Sequence, residues 1–299
     1  MFSVSDAAFT GFRVVRAKPV ILGWWTGLNL LFSVISALVL VGLGGTALND
    51  LRTLDQANPD LAAMGAIYGR LGPAYLILIV LSLIYYGVVY AAANRAVLQP
   101  DESRMGYLRF GGEEMKQGLL IFVLGLVFFG AYMALGIGGA ILMAIFSAIG
   151  GTFGVILGVT LMIVIVLGGL IFLGVKLSLS SAQTFATGKF NVFGSWALTK
   201  GRFWPLLGSY VIAAIMVVIV YALIVGVFAG VVFVSGGMPA LTSIFSPDTS
   251  SFGTFLTPTT LGYYVISALV GALALPLWLT PAPWIYSQIA QPKTAEVFA

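Results

Sequence analysis

Residues 117–175 read QGLLIFVLGLVFFGAYMALGIGGAILMAIFSAIGGTFGVILGVTLMIVIVLGGLIFLGV, a stretch of 59 residues that contains no Asp, Glu, Lys or Arg. A helix crosses a lipid bilayer with about 20 apolar residues, so this stretch is long enough to cross twice. Four further stretches without charge each contain an apolar block of about 20 residues, enough for one crossing. They occupy residues 19–49, 71–94, 203–247 and 249–292. The sequence therefore predicts a protein embedded in a membrane.

The composition supports this prediction. Hydrophobic residues make up 60% of the 299 residues and charged residues only 8%, with a mean hydropathy of +1.07. Such a chain has too little polar surface to cover a water-soluble globule. The net charge of +4 is a modest excess that favours anionic lipid headgroups over nucleic acid as a partner. Cys and His are absent, which excludes thiolate nucleophiles, imidazole bases and the usual zinc or haem ligands, and no cofactor is predicted.

We expect an all-α integral membrane protein of about six transmembrane helices, because the apolar blocks are continuous and do not alternate as barrel strands do. The predicted spans are 19–43, 73–93, 119–140, 152–175, 205–234 and 261–285. The third block stays apolar to Ile149, well beyond the thickness of a bilayer. It therefore either tilts steeply or bends at Gly136, Gly138 and Gly139.

The distribution of basic residues predicts the orientation, because Lys and Arg in short loops are retained in the cytoplasm. Twelve of the fourteen basic residues fall on one side of the predicted spans, and only Arg52 and Arg70 fall on the other. Both termini, including a tail at 291–299, are thus predicted to be cytoplasmic.

The outer segments carry local signals. Asn58-Pro59 is typical of a helix start and Gly72-Pro73 of a helix stop, which predicts a short helix between them. Its apolar face predicts that it lies along the membrane surface; the face comprises Leu61, Met64, Tyr68 and Leu71. Residues 235–260 are rich in Ser, Thr, Pro and Gly and predict an irregular loop.

Three cytoplasmic connectors share an aromatic residue and basic residues followed by Pro or Gly and an apolar span; they begin at Phe9, Tyr107 and Trp196. The pattern suggests a weak threefold repeat within one membrane domain, each unit an interfacial amphipathic helix followed by two spans. The units are 1–97, 98–176 and 177–290. The alternative is that any inner-membrane protein places basic and aromatic residues at headgroup level.

The connector that follows the fourth span is the best candidate site, because it is basic and aromatic and contains no acid. The candidates for binding anionic lipid headgroups are Lys176, Lys189, Trp196, Lys200, Arg202 and Trp204. Each basic residue near an anionic leaflet contributes about 1 kcal/mol. Cytoplasmic anchoring alone would produce the same composition, so both explanations remain open.

Glycines spaced four apart predict close helix packing, within the chain or between two copies of it. They are Gly150, Gly154 and Gly158, Gly226 and Gly230, and Gly23 and Gly27. Pro276 lies in the sixth span, where it leaves one backbone carbonyl without its helical donor. It predicts either a plain kink, in which Thr280 or a neighbouring helix satisfies that carbonyl, or a broken helix that lines a binding site.

No catalytic or metal site is predicted. Glu113 and Glu114 are adjacent carboxylates, but neighbours on a helix point about 100° apart. We expect Glu113 to pair with Arg109 or Lys116 on a solvated face. Asp50, Asp55 and Asp60 lack the spacing of a calcium loop.

Residues 195–204, SWALTKGRFW, and the Leu206-Leu207-Gly208 that follows resemble the signature loop of the bacterial glycerophosphoryl diester phosphodiesterase membrane-domain family. Residues 283–286, PWIY, resemble the closing segment of that family. The resemblance implies a six-helix protein of the bacterial inner membrane. In the fused members, the phosphodiesterase chemistry belongs to a separate soluble barrel with His, Glu and Asp ligands. This chain has neither the barrel nor a histidine, so the resemblance carries no such activity.

The sequence therefore predicts a non-enzymatic, multi-pass membrane component associated with lipid, or an assembly partner of another membrane protein or of its own copies. The alternative is a facilitator or flippase-like transporter whose substrate passes beside Pro276. Intramembrane ionisable residues usually mark coupled transporters, and their absence from the predicted spans disfavours ion coupling.

Overall fold

The computed structural model describes residues 2–54, 60–245 and 248–290. Their α-helices are α1 (Val4–Ala8), α2 (Thr10–Ala17), α3 (Val20–Thr53), α4 (Leu61–Leu98), α5 (Gly112–Leu177), α6 (Ser180–Thr187), α7 (Ser195–Leu198), α8 (Phe203–Phe245), α9 (Phe252–Phe255), α10 (Pro258–Leu279) and α11 (Pro281–Ala290). A 3₁₀ turn, Arg104–Tyr107, lies between α4 and α5. No strand occurs among these residues, so the all-helical prediction is confirmed. The predicted tail 291–299 lies outside the described residues.

Within the described part of the chain, five helical segments are long and apolar enough to cross a membrane. They are Val20–Leu51, Leu61–Leu98, Arg104–Thr187, Phe203–Thr242 and Pro258–Ala290. Each predicted span coincides with part of one of them, apart from Pro19, which precedes the first segment; the third and fourth predicted spans share α5. Several observed helices extend beyond the predicted ends, because the thickness of the hydrocarbon core limits a predicted span but does not limit the helix that contains it.

Helix α5 changes direction at Gly151, whose φ of 53° and ψ of −136° interrupt the helix. Its arms, residues 112–150 and 152–177, then pack against each other in antiparallel fashion. A Cβ placed on Gly158 would lie 2.8 Å from Met143 Cα, and one on Gly169 would lie 2.6 Å from Leu135 Cδ1. The helix continues through residues 136–139, so the predicted bend at Gly136, Gly138 and Gly139 is wrong. The turn needs positive φ, which glycine adopts without the cost that a Cβ imposes.

The predicted short surface helix is also wrong, because α4 runs without interruption from Leu61 through Pro73. Asp60 caps its start by accepting hydrogen bonds from the amides of Ala62 (2.9 Å) and Ala63 (3.2 Å). The predicted cap at 58–59 lies outside the described residues. Leu71 is fully buried against α3, so packing outweighs the one hydrogen bond that proline removes.

The predicted irregular loop 235–260 is helical in part. Helix α8 extends to Phe245, with one non-helical residue at Gly237 (φ 65°). Helix α9 has a capping box in which Ser251 and Thr254 exchange hydrogen bonds. Thr249 donates to the carbonyl oxygen of Gly45 (3.2 Å), and this contact seats the segment on α3.

The long helices pack in series: α5 against α4, α4 against α3, α3 against α10, and α10 against α8. One end of this bundle, called here the connector face, comprises α1, α2, residues 99–111 and residues 178–202. The two largest buried clusters lie at this end, one around Trp25 and Tyr107 and the other around Leu179 and Ile285. Farther along, the α5 arms and α8 expose most of their apolar side chains.

The three connectors of the predicted repeat differ in local structure. The first forms the amphipathic helix α2, whereas the third contains only the short α7. In the second, Met105 (φ 52°), Gly106 (φ 64°) and Tyr107 (φ 68°) have left-handed conformations. The threefold repeat stays a prediction.

Candidate functional site

A buried ion-pair cluster centres on Arg95, near the end of α4. The Arg95 side chain is 1% exposed, and its Nη2 donates to Glu113 Oε2 (2.8 Å) and Glu114 Oε1 (2.7 Å). Nη1 donates to the carbonyl oxygen of Tyr107 (2.6 Å). The guanidinium also lies 5.5 Å from the centre of the Phe185 ring. One cation therefore joins α4, the 3₁₀ turn, α5 and α6.

The predicted pairing of Glu113 with Arg109 or Lys116 is wrong. Arg109 precedes the first residue of α5, so it lacks the helical spacing that the prediction assumed, and it pairs with Glu102 (2.7 Å). Lys116 Nζ instead donates to the carbonyl oxygen of Gly188 (3.0 Å). The two adjacent glutamates converge on one guanidinium in the first turn of α5, where both accept from Arg95 Nη2.

A second buried polar cluster lies beside Arg95. Asn94 Nδ2 donates to Ser181 Oγ (2.8 Å), and Ser181 Oγ donates to Gln117 Oε1 (2.8 Å). Gln117 Nε2 completes the group by donating to the carbonyl oxygen of Ser181 (3.1 Å). Buried polar groups that satisfy one another in this way fix the relative positions of α4, α5 and α6. Sequence reasoning missed both clusters; the signal was Asn94-Arg95 adjoining an apolar block.

The connector 178–202 is held on the end of α5 by hydroxyl groups. Ser195 Oγ donates to the carbonyl oxygen of Lys176 (2.7 Å) and accepts from the amide of Leu179 (3.1 Å). Ser180 Oγ donates to the carbonyl oxygen of Val192 (2.6 Å). These bonds satisfy groups that a helix end would otherwise leave unpaired. The segment is therefore a fixed surface on the connector face.

Five of the six predicted headgroup-binding residues are exposed on this segment or beside it. They define the basic aromatic surface: Lys189, Trp196, Lys200, Arg202 and Trp204. Trp204 is 76% exposed, and its ring connects to that of Trp196 through Phe203 and Phe172, with centroids 5.3 to 5.8 Å apart. Exposed Phe190 and Phe193 lie in the same segment and were missed by sequence reasoning.

Lys176 differs from the other candidates because it is buried. Its Nζ lies 5.6 Å from the centre of the Phe172 ring and 5.7 Å from the Trp196 ring. Cation–π contacts of this kind stabilise an ammonium that has left water. Lys176 therefore packs against Trp196, and its ammonium is not accessible to a headgroup.

The structure separates the predicted packing glycines into two groups. A Cβ on Gly154 would overlap the carbonyl oxygen of Phe146, and Gly158 lies against Met143, so both serve contact between the α5 arms. The other predicted glycines have no side-chain or neighbouring-helix atom within 4 Å of a Cβ position; they are Gly23, Gly27, Gly150, Gly226 and Gly230. For these five, packing within the chain is not observed, and packing between copies stays a prediction.

Pro276 is buried inside α10, and the helix continues through it to Leu279. Thr280 Oγ1 donates to the carbonyl oxygen of Pro276 (2.7 Å), and the chain then begins α11 at Pro281. Helix α2 packs closely here, since a Cβ on Gly11 would lie 2.6 Å from the same oxygen. The surroundings of Pro276 are thus filled by the chain itself.

Two exposed carboxylates have lowered pKa values. At the end of the bundle away from the connector face, hydrogen bonds from Ser250, backbone and side chain, and from Asn49 lower the pKa of Asp248 to about 2. In α1, hydrogen bonds from Ser3 and then Arg13 lower the pKa of Asp6. Both groups are anionic at neutral pH and hold short polar segments in place.

Comparisons with protein-family models, with curated proteins and with solved structures found no match to this chain. The resemblance of residues 195–204 and 283–286 to the phosphodiesterase membrane-domain family stays a prediction.

Proposed function

We propose that the chain is a six-span protein of the bacterial inner membrane. The six spans are α3, α4, the two arms of α5, α8, and α10 with α11. The exposed apolar side chains support this proposal, because soluble proteins rarely expose such large apolar surfaces to water. Ile149 is 82% exposed, Phe153 73% and Val234 87%. The connector face, with twelve of the fourteen basic residues on its side of the spans, lies in the cytoplasm.

Labelling of single cysteines tests this topology, because the chain has no native Cys. With six spans, the α5 turn and residue 250 both lie outside the cytoplasm. A membrane-impermeant maleimide should label Gly150→Cys and Ser250→Cys in intact spheroplasts. Thr187→Cys, on the connector face, should react only after lysis. Labelling of Thr187→Cys in intact spheroplasts would contradict the orientation, and protection of Gly150→Cys would contradict the assignment of the two α5 arms as separate spans.

The protein's role, in this proposal, is that of a non-enzymatic, lipid-associated membrane component. One observation supports it: the connector exposes Lys189, Lys200 and Arg202 and contains no acid. The same segment exposes Trp196 and is followed by exposed Trp204. Tryptophan rings favour the headgroup level, and each cation near an anionic leaflet contributes about 1 kcal/mol. The hydroxyl bonds to Lys176 and Val192 hold this surface in one conformation. Anionic phospholipids would therefore be enriched around the connector face, where partner proteins would also dock.

Neutralising the basic aromatic surface tests this role. In the triple variant Lys189→Gln, Lys200→Gln and Arg202→Gln, the preference for spin-labelled phosphatidylglycerol over phosphatidylcholine should fall about tenfold. Electron paramagnetic resonance of proteoliposomes with equal amounts of both lipids measures this preference. The charge-preserving variant Lys189→Arg, Lys200→Arg and Arg202→Lys is the matched control and should keep it. An unchanged preference in the triple variant would refute the proposed role.

A further inference from the structure

A groove of about 1040 Å³ lies between α3 and α4 and opens on the connector face. From α3 its lining runs from Gly23 to Ile35, and from α4 it runs from Val88 back to Leu81. Ligand pockets commonly enclose roughly 300–1,000 Å³, so this groove is at the large end of that range. It is distinct from the basic aromatic surface, which belongs to other elements.

The length of the groove matches one leaflet of a bilayer. The α3 lining from Gly23 to Ile35 rises about 18 Å at 1.5 Å per residue. Half of the roughly 30 Å hydrocarbon core is about 15 Å. The walls are aliphatic and aromatic, and the rings of Phe32 and Tyr85 stack at 4.1 Å along them. The Tyr85 hydroxyl is already satisfied, because it donates to Asn29 Oδ1 (2.5 Å).

The charge lies at one end of the groove. Arg104 and Arg109 line it where it meets the connector face, and Leu108 and Phe110 lie between and beside them. Arg109 is partly neutralised by Glu102. Arg104 is exposed and makes no salt bridge within residues 2–54, 60–245 and 248–290. The groove therefore has an apolar length and a cationic mouth, which is the charge pattern complementary to an anionic amphiphile.

The mouth is held rigidly in a strained conformation. Residues 105–107 have three consecutive positive φ angles, and two of these residues are not glycine. Trp25 Nε1 donates to the carbonyl oxygen of Gly106 (2.8 Å) and fastens the turn to α3. Tyr107 anchors it from the other side by donating to the carbonyl oxygen of Pro100 (2.9 Å). Strain of this kind persists where the surrounding structure enforces it, often at a ligand site.

The groove is open because two of its lining residues have no side chain. Gly23 and Gly27 are one helical turn apart on α3, and a Cβ on either would meet nothing within 4 Å. Because no atom lies near these positions, the two glycines do not serve close packing within the chain. A side chain at either position would therefore begin in open space and extend into the groove.

We propose that the groove binds one anionic phospholipid molecule, with an acyl chain along α3 and α4 and the phosphate at Arg104. The proposal rests on the membrane location proposed above, and it adds a stoichiometric site to the diffuse attraction of the basic aromatic surface. The phosphate accepts hydrogen bonds from the free guanidinium, which is the geometry that Arg provides best. The acyl chain covers apolar side chains that the protein leaves exposed, among them Leu31 and Ile84.

Native mass spectrometry of the purified full-length chain tests the site. The delipidated protein is incubated with equal amounts of phosphatidylglycerol and phosphatidylcholine of identical acyl chains. The wild type should retain one phosphatidylglycerol molecule. Gly27→Leu should reduce this adduct about tenfold, because its side chain occupies the path of the acyl chain. Arg104→Gln should keep the groove but reduce the preference for phosphatidylglycerol about fivefold, because it removes a charged hydrogen bond.

Gly125→Leu is the matched control, because Gly125 is also an exposed glycine inside a long helix with open space around it, but on α5. It should retain the adduct, and so should the triple variant of the basic aromatic surface. An undiminished adduct in Gly27→Leu would overturn the proposal. A dimer that Gly27→Leu dissociates would also overturn it, since a second copy would then fill the groove. If the triple variant keeps its lipid preference while Gly27→Leu loses the adduct, the proposed role fails and the groove site stands.

Discussion

Replacing Arg95 with Met should lower the free energy of unfolding by about 3–5 kcal/mol, the cost typical of breaking a buried ion pair by removing one partner. The side chains of Arg95 and Glu114 are 1% and 4% exposed, so the variant leaves a carboxylate in the interior without its cation. It also removes the donor to the Tyr107 carbonyl oxygen. Equilibrium unfolding in mixed micelles, followed by far-ultraviolet circular dichroism, measures the loss.

Two comparisons isolate the cause of this loss. Arg109→Met breaks the pair with Glu102, in which both side chains are 45% exposed, and should cost no more than about 1 kcal/mol. Adding Glu114→Gln to Arg95→Met removes the stranded charge and should recover part of the lost stability. If Arg95→Met costs no more than Arg109→Met, the cluster does not stabilise the connector face.

The burial of Arg95 also shows what the sequence does not reveal. A basic residue at the end of an apolar block is typical of a topological anchor in water, and the positive-inside pattern encouraged that interpretation. Burial depends on Glu113 and Glu114, which the intervening turn brings back to α4. That turn has left-handed residues at Met105 and Tyr107, and neither residue type predicts this conformation. The local pattern of apolar and polar residues therefore does not predict the contacts that such a turn makes.

The apolar helices were predictable because lipid-spanning length and the absence of charge are properties of one segment at a time. The position of the α5 turn was not. Glycines occur both at 136–139 and at 150–151, and either group permits a change of direction. The choice depends on which turn lets the arms meet at small residues. The turn at Gly151 places Gly154 and Gly158 against the first arm, and this register is a property of the pair of helices.

Gly72-Pro73, at the other end of the bundle, also shows that local sequence does not decide where a helix ends. The dipeptide is a local stop signal, yet Leu71 and Ile67 are buried in a cluster with Ala47 of α3. This packing keeps the chain helical across the proline, so tertiary contacts override the local preference. The headgroup candidates were predicted from composition, which identifies a basic segment but does not show that Lys176 lies beneath aromatic rings while Lys200 is exposed.

Replacing Gly118 with Leu should lower the free energy of unfolding by about 3 kcal/mol, the upper part of the usual range for overpacking. A Cβ on Gly118 would lie 2.9 Å from the carbonyl oxygen of Leu83, and a Cβ on facing Gly87 would lie 2.6 Å from the carbonyl oxygen of Glu114. These neighbours are backbone atoms, so no side-chain rotation relieves the clash. Helices α4 and α5 must separate, and their separation also stretches the bonds from Arg95 to the start of α5.

Gly125→Leu is the matched control, because Gly125 is on the same helix and nothing lies within 4 Å of its Cβ position. Leu is favoured over Gly inside a helix by up to about 1 kcal/mol, so this variant should be neutral or slightly stabilising. The same mixed-micelle unfolding experiment compares the two, and Gly87→Leu should behave like Gly118→Leu. Equal stability of Gly118→Leu and Gly125→Leu would mean that α4 and α5 do not cross at these glycines. The contacts of Glu113 and Glu114 with Arg95 need this close crossing, so that result would contradict them as well.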